Sequence, residues 1–255
     1  MRVAAVADLH CSRTSEGAFR PLFAAAREAA DVLLLCGDLT DFGLPEEAQL
    51  LVGEIAAAAG MPIVGVLGNH DYEAGKEQEV RRILSDAGAL MLDGDSCEID
   101  GVGFAGIKGF AGGFGRGALG AWGEPAIKAF VQEAVNEAIK LESALARLRA
   151  ERRIVVMHYS PVAATVEGEP REIFPYLGCS RLEEPLTRYP ADAVFHGHAH
   201  RGQPEGRTLA GVPVFNVSLP LMRRSDPQGR PFRVFEVSGS ASGAAVPPVA
   251  EEVAS

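Results

Sequence analysis

Cysteine is scarce in this chain, with four in 255 residues, and Cys11, Cys36, Cys97 and Cys179 show no Cys-x-x-Cys spacing. That argues against a disulfide-stapled scaffold or a cysteine-built zinc site, and the four read as buried free thiols. Positive charge is also short, since 24 Lys and Arg stand against 34 Asp and Glu for a formal net charge of −10. Long-range attraction to a nucleic-acid backbone needs a basic face, so a nucleic-acid polymer is not an expected partner. A small phosphate-bearing molecule stays admissible if bound cations reverse the local field. Long hydrophobic runs are missing as well. The opening Met1-Arg2-Val3-Ala4-Ala5-Val6-Ala7 is too short for a secretion signal, and no stretch reaches the length of a membrane span. The expected address is the cytoplasm, with no membrane span.

What is present is a large apolar fraction, 47% of the residues, enough to bury a core near the upper size of one domain. The first third alternates strand and helix: strands at 3–7, 32–36 and 62–67, helices at 17–30 and 45–59. This βαβαβ order predicts parallel strands covered by helices, with functional groups at the carboxyl ends of the strands. A helix at 75–87 leads into short extended segments at 89–92, 96–99 and 102–107, a change of rhythm that predicts antiparallel pairing and a second sheet. Residues 108–123 hold seven glycines together with Phe110, Phe114 and Trp122; they read as a mobile loop, a lid, leading into a long helix at 124–151. No Gly-Lys-Ser/Thr follows, so the loop is not read as a nucleotide-phosphate cradle. Strands at 153–157, 191–195, 212–217 and 232–237 complete a domain spanning 1–237, and 238–255 reads as a poorly packed tail.

All six histidines sit at or just beyond the ends of apolar runs, in Asp8-Leu9-His10, Gly68-Asn69-His70-Asp71, Met157-His158-Tyr159 and His196-Gly197-His198-Ala199-His200. A further run, 32–36, ends in Gly37-Asp38. Mixed imidazole and carboxylate groups suit borderline divalent metals such as Mn, Fe, Zn, Ni or Co. Asp8 and His10 share one face if the chain is still extended there, and the same holds for His198 and His200, although Gly197 suggests a turn. With Asp38, Asn69 and His158 the set has seven groups, more than one ion uses. Each alone has a plainer reading: a capping aspartate, a turn asparagine, a hydrogen-bonded core histidine.

The series Asp8-x-His10, Gly37-Asp38, Gly68-Asn69-His70-Asp71, His158 and Gly197-His198-x-His200 resembles the calcineurin-like metallophosphoesterase superfamily over about three quarters of the chain. The resemblance implies a four-layer α/β/β/α sandwich of two mixed sheets. It implies two divalent ions, manganese or iron ahead of Zn, Ni, Co or Mg, one held by Asp8, His10, Asp38 and His200 and the other by Asp38, Asn69, His158 and His198. His70 is then the catalytic imidazole that touches substrate, oriented by the Asp71 carboxylate. The implied activity is hydrolysis of a phosphodiester or phosphomonoester by water activated on the ions. Leu67 before Gly68, Asp71 after His70 and Asp41-Phe42-Gly43 all depart from the protein serine/threonine phosphatases. The pattern is closer to the small bacterial phosphodiesterases, including the class III cyclic nucleotide group, which favours a small nucleotide-like substrate. Two alternatives accompany it: a pyrophosphatase acting on nucleotide-sugar or lipid-linked substrates, with Phe110, Phe114 and Trp122 as an apolar groove, and an inactive metal-binding scaffold. His196 has no place in the series and reads as a packed histidine. Arg13 and Arg201 read as solvated, and Tyr159 as packing or lining the site.

Overall fold

The computed structural model describes residues 1–238, so the stretch expected to be a tail lies outside the described residues apart from Ser238. Eleven strands make two sheets among these residues. In the first, β1 (Arg2–Val6), β2 (Val32–Cys36), β3 (Ile63–Val66) and β4 (Leu90–Met91) run parallel. The second sheet contains β5 (Asp95–Ile99), β6 (Val102–Gly106), β7 (Arg152–Val156), β8 (Ala193–His196), β9 (Glu205–Arg207) and β10 (Pro213–Asn216) in the order β5-β6-β7-β8-β10-β9. Its two edge strands, β5 and β9, are antiparallel to their neighbours and its four inner strands are parallel. The last strand, β11 (Arg233–Glu236), returns to the first sheet antiparallel to β1. The helices are α1 (Arg20–Ala29), α2 (Pro45–Ile55), α3 (Glu77–Asp86), α4 (Pro125–Arg147), α5 (Phe174–Leu177), α6 (Glu184–Arg188) and α7 (Leu219–Ser225).

Strand periodicity explains the layers. In β1 and β2, Ala4, Val6, Leu33 and Leu35 join Phe23, Ala26, Leu51, Val80 and Leu84 in a core under α1, α2 and α3. The alternate residues, Val3, Ala5, Val32, Leu34 and Cys36, meet Phe104, Ile154, Val156 and Phe195 of the second sheet. A strand covered on both faces must be apolar throughout, which is why Val-Leu-Leu-Leu-Cys shows no alternation. The outer face of the second sheet, Ala105, Val155, Met157 and Val194, packs on Ala134, Leu141 and Leu145 of α4. Helices, sheet, sheet and helices thus form the expected four-layer sandwich.

Several boundaries and pairings differ from expectation. Residues 89–92 were expected to pair antiparallel, yet β4 extends the parallel sheet because α3 carries the chain back across it; of the three segments, β5 and β6 form the hairpin, turned by Asp100-Gly101. On α4, Ile127 and Ile139 are exposed, leaving a buried face of Val131, Ala134, Glu137, Leu141 and Leu145. The Gly-rich segment read as a mobile lid is packed over its first half: Gly112 N–H donates to the Pro175 carbonyl at 2.7 Å and Gly113 N–H to the Gly178 carbonyl at 2.8 Å. Cys97 is only half-buried, whereas Cys11, Cys36 and Cys179 are buried thiols.

Candidate metal centre

Parallel strands of both sheets end at one edge of the sandwich, and the polar residues follow immediately. Asp8 lies two residues beyond β1, Asp38 two beyond β2, Asn69 three beyond β3, His158 two beyond β7 and His198 two beyond β8. The condition under which Asp8 and His10 would share one face, a chain still extended beyond the strand, is not met. After Val6 the backbone turns, and Asp8, His10, Asp38 and His198 all adopt left-handed φ, of 57°, 45°, 48° and 69°. Among the described non-glycine residues only Asp100, in its hairpin turn, shares that conformation. Left-handed backbone is disfavoured for residues with a Cβ, so its concentration at four polar positions marks strain held by the surrounding fold.

The glycines within the motifs have a steric reason. A Cβ on Gly68 would run into the Asp38 carboxylate, one on Gly197 into the Asp8 carboxylate, and one on Gly37 into the His158 ring. Each glycine leaves room for the functional side chain of another segment, which is why Gly-Asp, Gly-Asn-His and Gly-His recur as pairs.

Three sets of donor atoms lie within 4.8 Å of one another: Asp8, His10 and His200; Asp38, His158 and His198; and His10, Asp38 and His70. The His10 and His70 rings meet edge-on with centroids 4.5 Å apart, and His158 and His198 lie 4.8 Å apart. Hydrogen bonds decide which ring nitrogen faces the cluster. His158 Nδ1 lies 3.1 Å from the Cys36 carbonyl, which only accepts, so Nδ1 carries the proton and Nε2 turns inward. Nε2 then sits 2.9 Å from Asn69 Oδ1 and 3.3 Å from Asp38 Oδ1. His198 Nε2 is held at 3.1 Å by the Tyr176 carbonyl, which leaves its Nδ1 facing the cluster. His200 Nε2 lies 3.0 Å from Asp8 Oδ1.

This donor set fits divalent cations. An imidazole lone pair and two acceptor oxygens converge at His158 Nε2, an arrangement that repels itself unless a proton or a metal ion lies between. Both ring nitrogens of His10 are buried with no hydrogen-bond partner, which is costly for a polar ring and natural for a ligand. Asp8 and Asp38 are 2% and 1% exposed, so two carboxylates are taken out of water beside one another. Burial, the largest single influence, would raise both pKa values; for Asp8 the hydrogen bond to His200 together with the His158 charge, and for Asp38 the His158 charge and hydrogen bond together with the His70 N–H, overcome it, and both lie below the ordinary range. Burial would likewise lower His158, but the Asp38 charge and hydrogen bond push it up to about 9. Burial and the neighbouring His158 charge bring His198 down to about 4. The cluster thus holds protons at some positions and sheds them at others, which leaves lone pairs available to a cation.

His70 and Asp71 part company. Asp71 was expected to orient His70, but the 3-10 turn His70–Tyr72 directs it inward. Its carboxylate accepts from Thr40 Oγ1 at 2.6 Å, Thr40 N at 2.8 Å, Gly68 N at 2.8 Å and Leu39 N at 3.2 Å. It ties the Asp38 loop to the Asn69 loop and makes no bond to the His70 ring. Burial and the Asp38 charge raise Asp71 to about 6. The group that orients His70 is the Asp41 carbonyl, 2.7 Å from Nδ1. The Asp41 carboxylate lies 3.4 Å from His10 Nδ1, so Asp41 touches both rings.

The partners of the remaining side chains carry no sequence signal. His196 is buried, with Nδ1 2.7 Å from the Gly197 carbonyl and Nε2 2.8 Å from Thr165 Oγ1, which in turn meets Ser160 Oγ at 2.7 Å. Asn216, beside His196 in the β8–β10 register, donates to the Ala199 carbonyl at 2.8 Å and holds the loop that carries His198 and His200. Tyr159 is buried with its ring 4.5 Å from that of His198. Arg13 and Arg201 are exposed.

Comparison with curated sequences finds no match. Among solved structures, the fold is similar to phosphopantetheinyl hydrolase from Mycobacterium tuberculosis, at 15% identity with TM-score 0.63, covering 97% of this chain and 98% of that one. The protein TT1561 of Thermus thermophilus is 13% identical with TM-score 0.54, over 92% and 97% of the two chains. A purple acid phosphatase from yellow lupin seeds is 15% identical with TM-score 0.53, over 78% of this chain and 38% of that one. Such likenesses establish the sandwich, and the sequence model described as calcineurin-like phosphoesterase matches residues 1–202. The chain therefore belongs to the calcineurin-like phosphoesterase family.

Proposed function

We propose that the protein hydrolyses a small phosphoester with two divalent ions, manganese or iron foremost, one held by Asp8, His10, Asp38 and His200 and the other by Asp38, Asn69, His158 and His198. The observation that carries the reading is the position of Asp38. Its buried carboxylate is 3.3 Å from His158 on one side and 3.9 Å from His10 on the other, so it belongs to both donor sets. When bound, such a pair of ions clamps a phosphoryl group and lowers the pKa of a water at neutral pH.

The chain's own residues supply the rest. His70 donates Nδ1–H to the Asp41 carbonyl, which leaves Nε2 as the atom that holds a proton for the departing oxygen. His10 and His198 stay neutral at pH 7 because burial holds both below the ordinary imidazole range, so their lone pairs remain available to a cation. Asn69 adds a neutral oxygen without adding to the negative charge opposite an anionic substrate. Asp71, by binding four groups of the Asp38 and Asn69 loops, fixes the bridge relative to the turn that carries His70. A small nucleotide-like phosphodiester is the favoured substrate, rather than a nucleic-acid polymer.

The test is hydrolysis of bis-p-nitrophenyl phosphate and p-nitrophenyl phosphate by chelator-stripped protein resupplied with Mn, Fe, Zn, Ni, Co or Mg in turn. Metal-dependent release of nitrophenolate, abolished by Asp38→Ala, is the expected result. No turnover of either ester by protein shown to carry two ions would overturn it.

A further inference from the structure

A cavity of about 650 Å3 opens between α3 and α4, next to the imidazole cluster but not over it. Its wall is shared with the metal centre. Leu67 and Tyr72, which line it, bracket the turn that carries Asn69 and His70. Lys108, which also lines it, accepts the His158 and Tyr159 N–H groups on its carbonyl at 3.0 and 3.2 Å. A volume of this size holds a mononucleotide-sized group.

Among the described residues, Lys108 is the cation of that wall with no carboxylate partner, while Glu77 and Glu133 of the same lining are unpaired anions. Its Nζ donates to the Gly109 carbonyl at 2.8 Å and lies 4.9 Å from the Phe110 ring centroid, 5.3 Å from that of Tyr159 and 5.5 Å from that of Tyr72. Among the described residues no carboxylate oxygen comes within 4 Å of it. Aromatic faces attract an ammonium without neutralising it, and two of its three N–H donors have no protein acceptor. The neighbouring cations are already matched. Lys140 pairs with Glu137 at 2.7 Å and Asp93 at 3.0 Å, and Arg81 with Asp95 at 3.1 Å and the Met91 carbonyl at 2.8 Å.

We infer that this cavity is the subsite for the organic group esterified to phosphorus, and that Lys108 binds a second anionic group, phosphate or carboxylate, carried by that part of the substrate. The inference rests on the phosphoesterase reading above and narrows it to substrates with a second anion beyond the scissile ester. A charge-assisted contact to a partly desolvated ammonium supports a preference of roughly tenfold or more.

The test uses two esters that differ by one group: thymidine 5′-(p-nitrophenyl phosphate) and the same compound with a 3′-phosphate. Manganese-loaded wild type, Lys108→Met and Lys108→Arg are compared by the ratio of kcat/KM for the two esters, a ratio that cancels any loss of folded protein. Wild type is expected to prefer the 3′-phosphorylated ester at least tenfold, Lys108→Met to bring the ratio to near one, and Lys108→Arg to keep most of it. Calorimetric titration of metal-free protein with thymidine 3′,5′-bisphosphate is expected to show at least tenfold weaker binding to Lys108→Met than to wild type or Lys108→Arg. Equal kcat/KM for the two esters in wild type, or a preference that survives Lys108→Met, overturns the subsite. If wild type cleaves bis-p-nitrophenyl phosphate but neither thymidine ester, the subsite is overturned; if it cleaves none of the three, the phosphoesterase reading falls and the titration alone decides whether Lys108 holds the anion. Carboxylate as the natural group is tested by citrate as competitor in the same titration: displacement of the bisphosphate supports a general anion site, and failure restricts the claim to phosphate.

Discussion

Stripping the metal centre should make the stability of the protein depend on pH in a window set by His158. Its imidazole is fully buried, 3.3 Å from the Asp38 carboxylate, and its pKa is held at about 9 against an ordinary value of 6.5. Asp38 lies far below this window and stays ionised throughout, so only the imidazole titrates. A group whose pKa is raised by folding contributes stability that is complete below its unfolded value and disappears as the pH rises through the folded value. The contribution is therefore present at pH 6.5 and gone above about 9. The difference between 9 and 6.5 corresponds to about 3 kcal/mol at 1.36 kcal/mol per pH unit. In a chain of this size about 1 kcal/mol moves the melting temperature by roughly 2–4 °C, so a fall of roughly 6–12 °C is expected between pH 6.5 and 9.5. His200, also raised by its bond to Asp8, acts in the same direction; His10 and His198 are lowered and titrate below the window. The assay is thermal unfolding followed by circular dichroism in excess chelator, repeated with metal restored. In the loaded protein an ion replaces the proton and the slope should disappear. A chelated protein whose melting temperature stays within 2 °C from pH 6.5 to 9.5, or a slope that is undiminished in His158→Phe, would refute the reasoning.

Three further outcomes follow from named contacts. Gly68→Ala should lower bound metal below two ions per chain, measured by elemental analysis, because the added methyl occupies the space of the Asp38 carboxylate. His70→Ala should keep two ions but lose roughly 10²- to 10⁴-fold in kcat, since the ring is bonded to Asp41 and free at Nε2; a parallel loss of metal would show His70 to be a ligand. Glu54 is buried and accepts from the N–H groups of Gly17, Phe19 and Arg20 at 2.8, 2.9 and 3.1 Å, so Glu54→Gln, which turns an amide N–H toward these donors, should cost about 1–3 kcal/mol in urea unfolding.

The polar series ending in His198-x-His200 and the run of Val-Leu-Leu-Leu-Cys could be read from the chain alone. A strand buried on both faces must be apolar along its whole length, and ligand groups cluster where such strands stop. Glycine before Asp38, Asn69 and His198 was equally visible, although its reason was not: the clashing partners are Asp8, Asp38 and His158 from other segments. Local pattern did not settle what depended on backbone turns. It left open whether the chain at Asp8 and His10 is still extended, and the resemblance paired Asp71 with His70, because left-handed φ and the inward turn at 70–72 are imposed by packing between loops. Contacts made by main-chain carbonyls, such as Cys36 to His158, Asp41 to His70 and Tyr176 to His198, carry no residue signature at all. Asn216 and Lys108 were invisible for a different reason: each acts across strand or loop neighbours that only the sheet order brings together. The sequence determined which atoms can bind cations, through residue chemistry and strand periodicity. The tertiary structure decided which ring nitrogen faces inward, which carboxylate lies between the two donor sets and which lysine is left unpaired, because those depend on distances between segments up to 192 residues apart.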